Sequence, residues 1–216
     1  MLVRDIMTTN VVTVPSNMPV LEARKILETH NIRRMPVVDK GKLVGVVTKN
    51  MTRRASPSEA TSLSVWEINY LMAKMKVKDI MKKDPVTVTP GITVECAAAT
   101  AQKNGVGALP VVEGGLVVGI VTTNDFFYKI LNPLLGINED GKRIIVYGVD
   151  SPDSITTIMN VIKEHKVGIK AMHTVAYPEA DSRDLIIHLN TQDVIDIMSA
   201  INNLGFQVNE REHKPC

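Results

Sequence analysis

Gly119-Ile120-Val121-Thr122-Thr123-Asn124-Asp125 decides how the chain is read, because Gly45-Val46-Val47-Thr48-Lys49-Asn50-Met51 precedes it in the same pattern. Each copy is an apolar strand, Leu43 to Val47 or Val117 to Val121, that stops at a threonine and turns into a helix start. Backbone N–H groups are unpaired at such a place and favour an anion. The second copy adds a carboxylate one turn on. Asp125 can accept from a ribose diol while the Thr122 hydroxyl and nearby amides face a phosphate. The first copy carries Met51 there. One intact and one degraded nucleotide-sized site is the resulting reading; the plainer one makes Asp125 only a helix cap, worth about 1 kcal/mol.

Working outward, the repeat covers some fifty positions in one ungapped register. Asp5-Ile6-Met7 falls on Asp79-Ile80-Met81, Val12-Thr13-Val14 on Val86-Thr87-Val88, and Pro36-Val37-Val38 on Pro110-Val111-Val112. Val11 to Val14 reads as a short strand. Pro15 to Pro19 opens a helix whose Val20, Ala23, Ile26, Leu27 and His30 share a face, and Met35 to Val38 and Leu43 to Val47 are two further strands, a hairpin or a parallel pair. The second helix presents Val94, Ala97, Ala98 and Ala101 instead of bulkier groups. Small side chains admit a close neighbour, although alanine also simply favours helix.

The domain plan follows: a first repeat over 1–55, a helical connection over 56–76, a second repeat over 77–135, a linker of turn formers over 136–142, a third unit over 143–210 and a tail over 211–216. In the connection, Ser56 with Glu59 and Ser64 with Glu67 read as capping boxes. Ile68, Leu71, Met72 and Met75 make an apolar stripe beyond them, and Trp66 and Tyr70 read as core or interface packing residues. The third unit alternates strand (143–149), helix (154–165), strand (167–175), strand (185–189), helix (192–204) and strand (206–209), the βαββαβ order of the ferredoxin-like plan. The fold class expected is therefore α+β.

Composition narrows the function. With 25 basic and 23 acidic residues the net charge is +2, which gives no electrostatic case for nucleic acid or an anionic membrane. Two cysteines give no disulfide framework, no apolar run reaches membrane-spanning length, and a cytoplasmic chain is expected. Histidines 30, 165, 173, 188 and 213 lack ligand spacing, so no metal site is expected. No nucleophile elbow, phosphate loop or dinucleotide fingerprint is present, and an enzyme is not expected.

On these motifs, residues 3 to about 130 resemble a tandem pair of CBS domains: the Asp-Ile-Met opening, the Val-Thr-Val and Pro-Val-Val strands and the Gly-h-h-Thr-x-x-Asp ending each match twice and in order. The stretch Ala55 to Glu67 is similar to that of the acetoin-utilisation B-type branch, in which an ACT domain often follows the pair. Residues 143–210 resemble such a domain. Asp150-Ser151-Pro152 stands where ACT domains carry an Asp-x-Pro-Gly loop, with Asp153 in place of the glycine.

The resemblance implies a non-catalytic sensor of an adenine nucleotide (AMP, ADP, ATP) or S-adenosylmethionine, with two pseudo-symmetric clefts between the repeats. One cleft would use Thr122, Asn124 and Asp125 with Met7, Val12 and Ile32, and with Arg33 and Arg34 against phosphate. The weaker mirror cleft would use Thr48 and Asn50 with Met81, Val86 and Val106, having Gly107-Ala108 in place of the arginines. Asp150, Ser151 and Asp153 would form an ACT ligand loop or a helix cap. A homodimer is expected, and the alternatives are an amino-acid sensor acting through the ACT domain or an assembly module with vestigial clefts.

Overall fold

The structure is a computed structural model that describes residues 1–55, 74–178 and 182–211, together with Ser64, Trp66, Glu67 and Tyr70. It divides into two compact units, Met1–Phe126 and Phe127–Cys216. The expected Ser56–Glu59 capping box and the Ile68, Leu71 and Met72 stripe lie outside the described residues.

In the first unit each repeat opens with one helical turn, α1 (Val3–Ile6) or α4 (Val77–Ile80). The repeated Asp-Ile-Met motif explains it. Asp5 accepts from the Leu2 amide at 2.7 Å and Asp79 from the Lys76 amide at 2.8 Å, each satisfying a donor that the helix start leaves orphaned. Ile6 is buried. The methionine then packs on the other repeat. An ideal Cβ placed on Gly119 would lie 2.5 Å from the Met7 sulfur, and one on Gly45 would lie 2.7 Å from the Met81 sulfur and 2.9 Å from the Lys82 carbonyl oxygen. Only glycine admits these approaches.

The long helices follow, α2 (Val20–Thr29) and α5 (Val94–Lys103), then the hairpins β1 (Arg34–Asp39) with β2 (Lys42–Thr48) and β4 (Ala108–Glu113) with β5 (Leu116–Thr122). Both hairpins are antiparallel and carry the same irregularity, between Val37 and Val38 and between Val111 and Val112. Each lead-in joins the opposite sheet. β3 (Lys82–Lys83) pairs with β2, and Thr8 bridges Ile120 on β5. The amides of Val3 and Val77 donate to the carbonyls of Ile92 and Met18, each at 2.9 Å, so every such bond has its counterpart in the repeat. Val14, Ala23, Leu27, Met35, Val37, Val47 and Val77 form one buried cluster, which thus takes Val77 from the second repeat's lead-in.

Val11 to Val14 and Val86 to Val88 are not strands, contrary to their alternation. Only Val14 and Val88 make a bridge, parallel to Val37 and Val111, and Pro15 ends the first of these ladders for want of an N–H. Trp66 and Tyr70 are exposed and so not part of the chain's own core, with Lys74 Nζ 4.3 Å from the Tyr70 ring centroid. The Ser64 capping box is present: Glu67 accepts from the Ser64 amide at 2.8 Å, and Ser64 accepts from the Glu67 amide at 3.3 Å.

In the second unit a turn of π-helix (Phe127–Leu131) leads into α7 (Asn132–Leu135). Pro133 cannot donate to the carbonyl four residues back, which forces the helical ladder to slip. These residues, read from the sequence as the end of the second repeat, are grouped with the second compact unit, where α7 packs on β7. The core order is β6 (Lys142–Val146), α8 (Pro152–Glu164), β7 (Ile169–Ala176), β8 (Arg183–Leu189), α9 (Ile195–Asn203) and β9 (Val208–Arg211). The sheet is antiparallel with β7, β8, β6 and β9 side by side, the order a βαββαβ chain gives when both helices cover one face. Ile144, Val146, Leu185, Ile187 and Leu189 point to that face, with Ile158, Ile162, Ile197 and Ile201 from the helices.

β6 stops short of the expected Val149. Gly148 has φ of 68°, a conformation that breaks the strand. α9 starts three residues later than expected, because Asp193 and Thr191 side chains cap the preceding turn at the Ile195 and Asp193 amides.

Candidate functional site

β5 ends at Thr122, and helix α6 (Thr123–Phe126) starts immediately after it. Asp125 stands three residues beyond Thr122 and reaches back. Its Oδ2 accepts from the Thr122 amide and from the Thr122 hydroxyl, both at 2.8 Å, and the residue is 8% exposed. This is the carboxylate half of a capping box, with Asp125 satisfying the residue at the cap. The same turn in the first repeat is built differently. Thr48 caps α3 (Lys49–Arg54) by accepting from the Met51 amide at 3.2 Å, since Met51 has no carboxylate to return.

Arg34 crosses from the first repeat to this turn. Its Nη1 donates to the Gly107 carbonyl at 2.7 Å, and the Thr123 amide and hydroxyl donate to the same oxygen at 3.2 Å. A Cβ on Gly107 would come within 2.6 Å of Nη2, so the missing side chain is what lets the guanidinium in. Burial, and then the charge of Arg33, push Arg34 below its usual pKa. An anion shared by the two arginines would relieve that repulsion.

Of the residues expected around Asp125, Met7 lies against Gly119 on the strand that ends at Thr122, and Arg34 lies at the helix start. Asn124 is exposed, as is Arg33, whose carbonyl accepts from the Lys49 amide at 2.9 Å. Val12 and Ile32 are half-buried and pack on the first repeat's core, as do Ile80 and Met81. Met81 in turn sits on Gly45, in the strand that ends at Thr48. Asn50 is exposed and Val86 half-buried. Val106 lines a groove of about 420 Å³ with Ala98, Ala101, Val121, Thr122 and Phe126. Hence Ala98 and Ala101 face a groove, while Val94 and Ala97 are buried.

Gly107 and Thr123 were missing from the sequence reading of this site. The signal was available: the repeat register sets Arg33 over Gly107 and Arg34 over Ala108, the size contrast that makes room for a crossing side chain.

In the second unit the Asp150 carboxylate accepts from the Arg183 amide at 2.7 Å, and Ser151 caps α8 by accepting from the Ser154 amide at 3.1 Å. Asp153 is exposed, in the first turn of α8. Asp150 and Ser151 are thus engaged in holding β8 and starting a helix. Among the described residues no group of three or more His, Cys, Asp and Glu side chains could hold a metal ion, and no helix is long and apolar enough to cross a membrane.

Two α+β repeats that complete each other's sheets, each with a threonine at a helix start, define a tandem-repeat module of one class. The chain belongs to the CBS-domain family, whose pattern matches residues 3–55 and 77–132. Inosine-5'-monophosphate dehydrogenase of Korarchaeum cryptofilum is 37% identical over 147 residues, which is 68% of this chain and 28% of that enzyme. The chain therefore spans under a third of that relative, and only its CBS part is matched.

Among solved structures, the CBS pair of protein MJ0100 in complex with 5'-methylthioadenosine and S-adenosyl-L-methionine is similar at 32% identity, with a TM-score of 0.51 over 61% of this chain and 97% of that one. CBSX2 of Arabidopsis thaliana in complex with AMP is 29% identical, with a TM-score of 0.51 over 61% and 97%. An acetoin-utilisation protein (AcuB) from Vibrio cholerae is 29% identical, with a TM-score of 0.52 over 63% and 94%.

Proposed function

We propose that this protein is a non-catalytic regulatory sensor whose paired repeats bind an adenosine ligand at the Thr122–Asp125 turn. The observation that carries the reading is the crossing of Arg34 from one repeat to the helix start of the other, beside a carboxylate-backed threonine. A ligand there would touch both repeats and tie its occupancy to their arrangement. Met7, Arg34, Thr122, Thr123 and Asp125 would line the site, with Arg33 at its rim, and the two clefts would be related by the pseudo-twofold of the matched lead-in bonds.

Arg33 and Arg34 favour a phosphate over the cationic sulfonium of S-adenosylmethionine, so AMP, ADP or ATP is the preferred class. The ferredoxin-like unit would be an ACT domain that receives the signal, in a cytoplasmic homodimer. With Asp150 and Ser151 engaged in capping, an amino-acid sensor is the weaker reading. The acetoin connection rests on likeness, that of the Ala55–Glu67 stretch to the acetoin-utilisation B-type branch and that of the fold to the AcuB structure.

The test is a melting curve of the full chain with AMP, ADP, ATP, S-adenosylmethionine or 5'-methylthioadenosine, on wild type, Arg34→Ala and Asp125→Ala. A ligand at a hundred times its Kd adds about 2.7 kcal/mol. AMP should stabilise wild type, and Arg34→Ala should weaken AMP about tenfold while sparing uncharged 5'-methylthioadenosine. Equal loss of both ligands would assign Arg34 a structural role, and silence from every ligand would favour an assembly module.

A further inference from the structure

The sheet of the second unit has helices on one face, and its other face carries His188, Arg143 and His173. Residues 136–141 cross that face. Gly136 and Gly141, with φ of 60° and 108°, close over the imidazole of His188. A Cβ on Gly136 would overlap its Nδ1, and one on Gly141 would lie 3.3 Å from its Nε2 and overlap the Leu189 carbonyl. Two polar ties hold the same stretch: Arg143 Nη2 donates to the Gly136 carbonyl at 2.6 Å, and Lys170 Nζ lies 3.4 Å from a Glu139 carboxylate oxygen.

His188 is 2% exposed, and neither ring nitrogen has a hydrogen-bond partner among the described residues. An imidazole in that position is tolerable only while neutral. Arg143, opposite on β6, and Lys170, on β7, discourage a proton. His173 on β7 and Arg211 on β9 lie on the same sheet, farther off. Glu139 and the backbone of Asp140 pull the other way, the latter outside hydrogen-bonding geometry. Burial first, then Arg143, set His188 below its ordinary value of 6.5, and His173 is lowered in the same direction by burial, Arg211 and Arg143.

We infer that residues 136–141 form an acid-released strap, held on the sheet by neutral His188 and freed when that imidazole takes up a proton. The sign follows from linkage. The closed state binds fewer protons than the open one, so closure is complete above 6.5 and is lost as pH falls toward the lowered value. The strap is also the chain's covalent path from the paired repeats into the sheet, so the release would loosen that path. The inference does not depend on nucleotide binding.

Hydrogen exchange on the full chain at about pH 7.5 and about pH 5.5, corrected for intrinsic chemistry, tests it. In wild type the opening constant of 136–141 should rise by up to about tenfold per pH unit below 6.5, with the first unit unchanged. His188→Leu should abolish the rise, and His173→Gln should keep it. Gly136→Ala, which cannot close over the ring, should leave the strap unprotected at both values with the sheet intact. Wild-type protection that ignores pH, a rise that survives His188→Leu or vanishes in His173→Gln, or a protected strap in Gly136→Ala would each overturn the inference.

Discussion

Replacing Gly45 by alanine should cost more than any local property of the site suggests. The added Cβ would stand 2.9 Å from the Lys82 carbonyl oxygen and 2.7 Å from the Met81 sulfur, where ordinary contact begins at 3.4 Å. Side-chain rotation can clear the sulfur, whereas the carbonyl moves only if β3 leaves β2 by about half an ångström. Overpacking of this kind costs about 1–3 kcal/mol.

Alanine also restricts the unfolded chain, a gain of roughly 0.4–1 kcal/mol. The matched control is Gly91→Ala, since a Cβ at Gly91 meets nothing within 4 Å. It shares the unfolded-state gain and lacks the clash, so the difference between the two variants isolates the clash. Urea unfolding should place Gly45→Ala about 1–3 kcal/mol below Gly91→Ala, with unchanged m. Met81→Ala should rescue Gly45→Ala only in part, because the carbonyl remains. Equal midpoints for the two glycine variants would refute the exchange of lead-ins as a tight contact.

Three further outcomes are expected. Asp125→Asn should lose about 1 kcal/mol in urea without ligand, because the carboxylate that takes both Thr122 donors weakens. Gly107→Ala should displace the Arg34 guanidinium, which titration of AMP by calorimetry would report as an affinity loss of about tenfold with 5'-methylthioadenosine unaffected. Ser151→Ala should cost about 1 kcal/mol through the lost cap of α8, and Ser151→Thr should recover most of it in thermal melts.

The repeat, its strands and the βαββαβ order were legible in the sequence because period, turn chemistry and register are local properties, whereas the antiparallel sense of each repeat's strand pair was not. Asp-Ile-Met was legible as a motif but not as a mechanism. Its aspartate caps its own turn, while its methionine acts on a glycine of the other repeat, and no local pattern states which partner a side chain will meet. Val11 to Val14 misled for the converse reason: alternation marks a strand only where a neighbour offers a ladder, and here just Val14 finds one.

The site shows the same division. Thr122 and Asp125 could be paired from spacing alone, whereas Gly107 and Thr123, which meet Arg34 at the Gly107 carbonyl, could not, because spacing does not say which side chain crosses between the repeats. Residues 136–141 read as a linker from their turn formers; the same glycines that mark turns also admit an imidazole beneath the backbone.

The traded lead-ins bear on how such a chain could have arisen and how it can be divided. A single copy of the repeat would leave the outer edge of its hairpin open and lack the valine that closes its core. Such a copy would find both in an identical neighbour, arm for arm, before any connecting segment existed. Severing the chain between the copies should therefore yield halves that are insoluble apart and soluble when mixed, and the smallest heritable unit of this architecture is two.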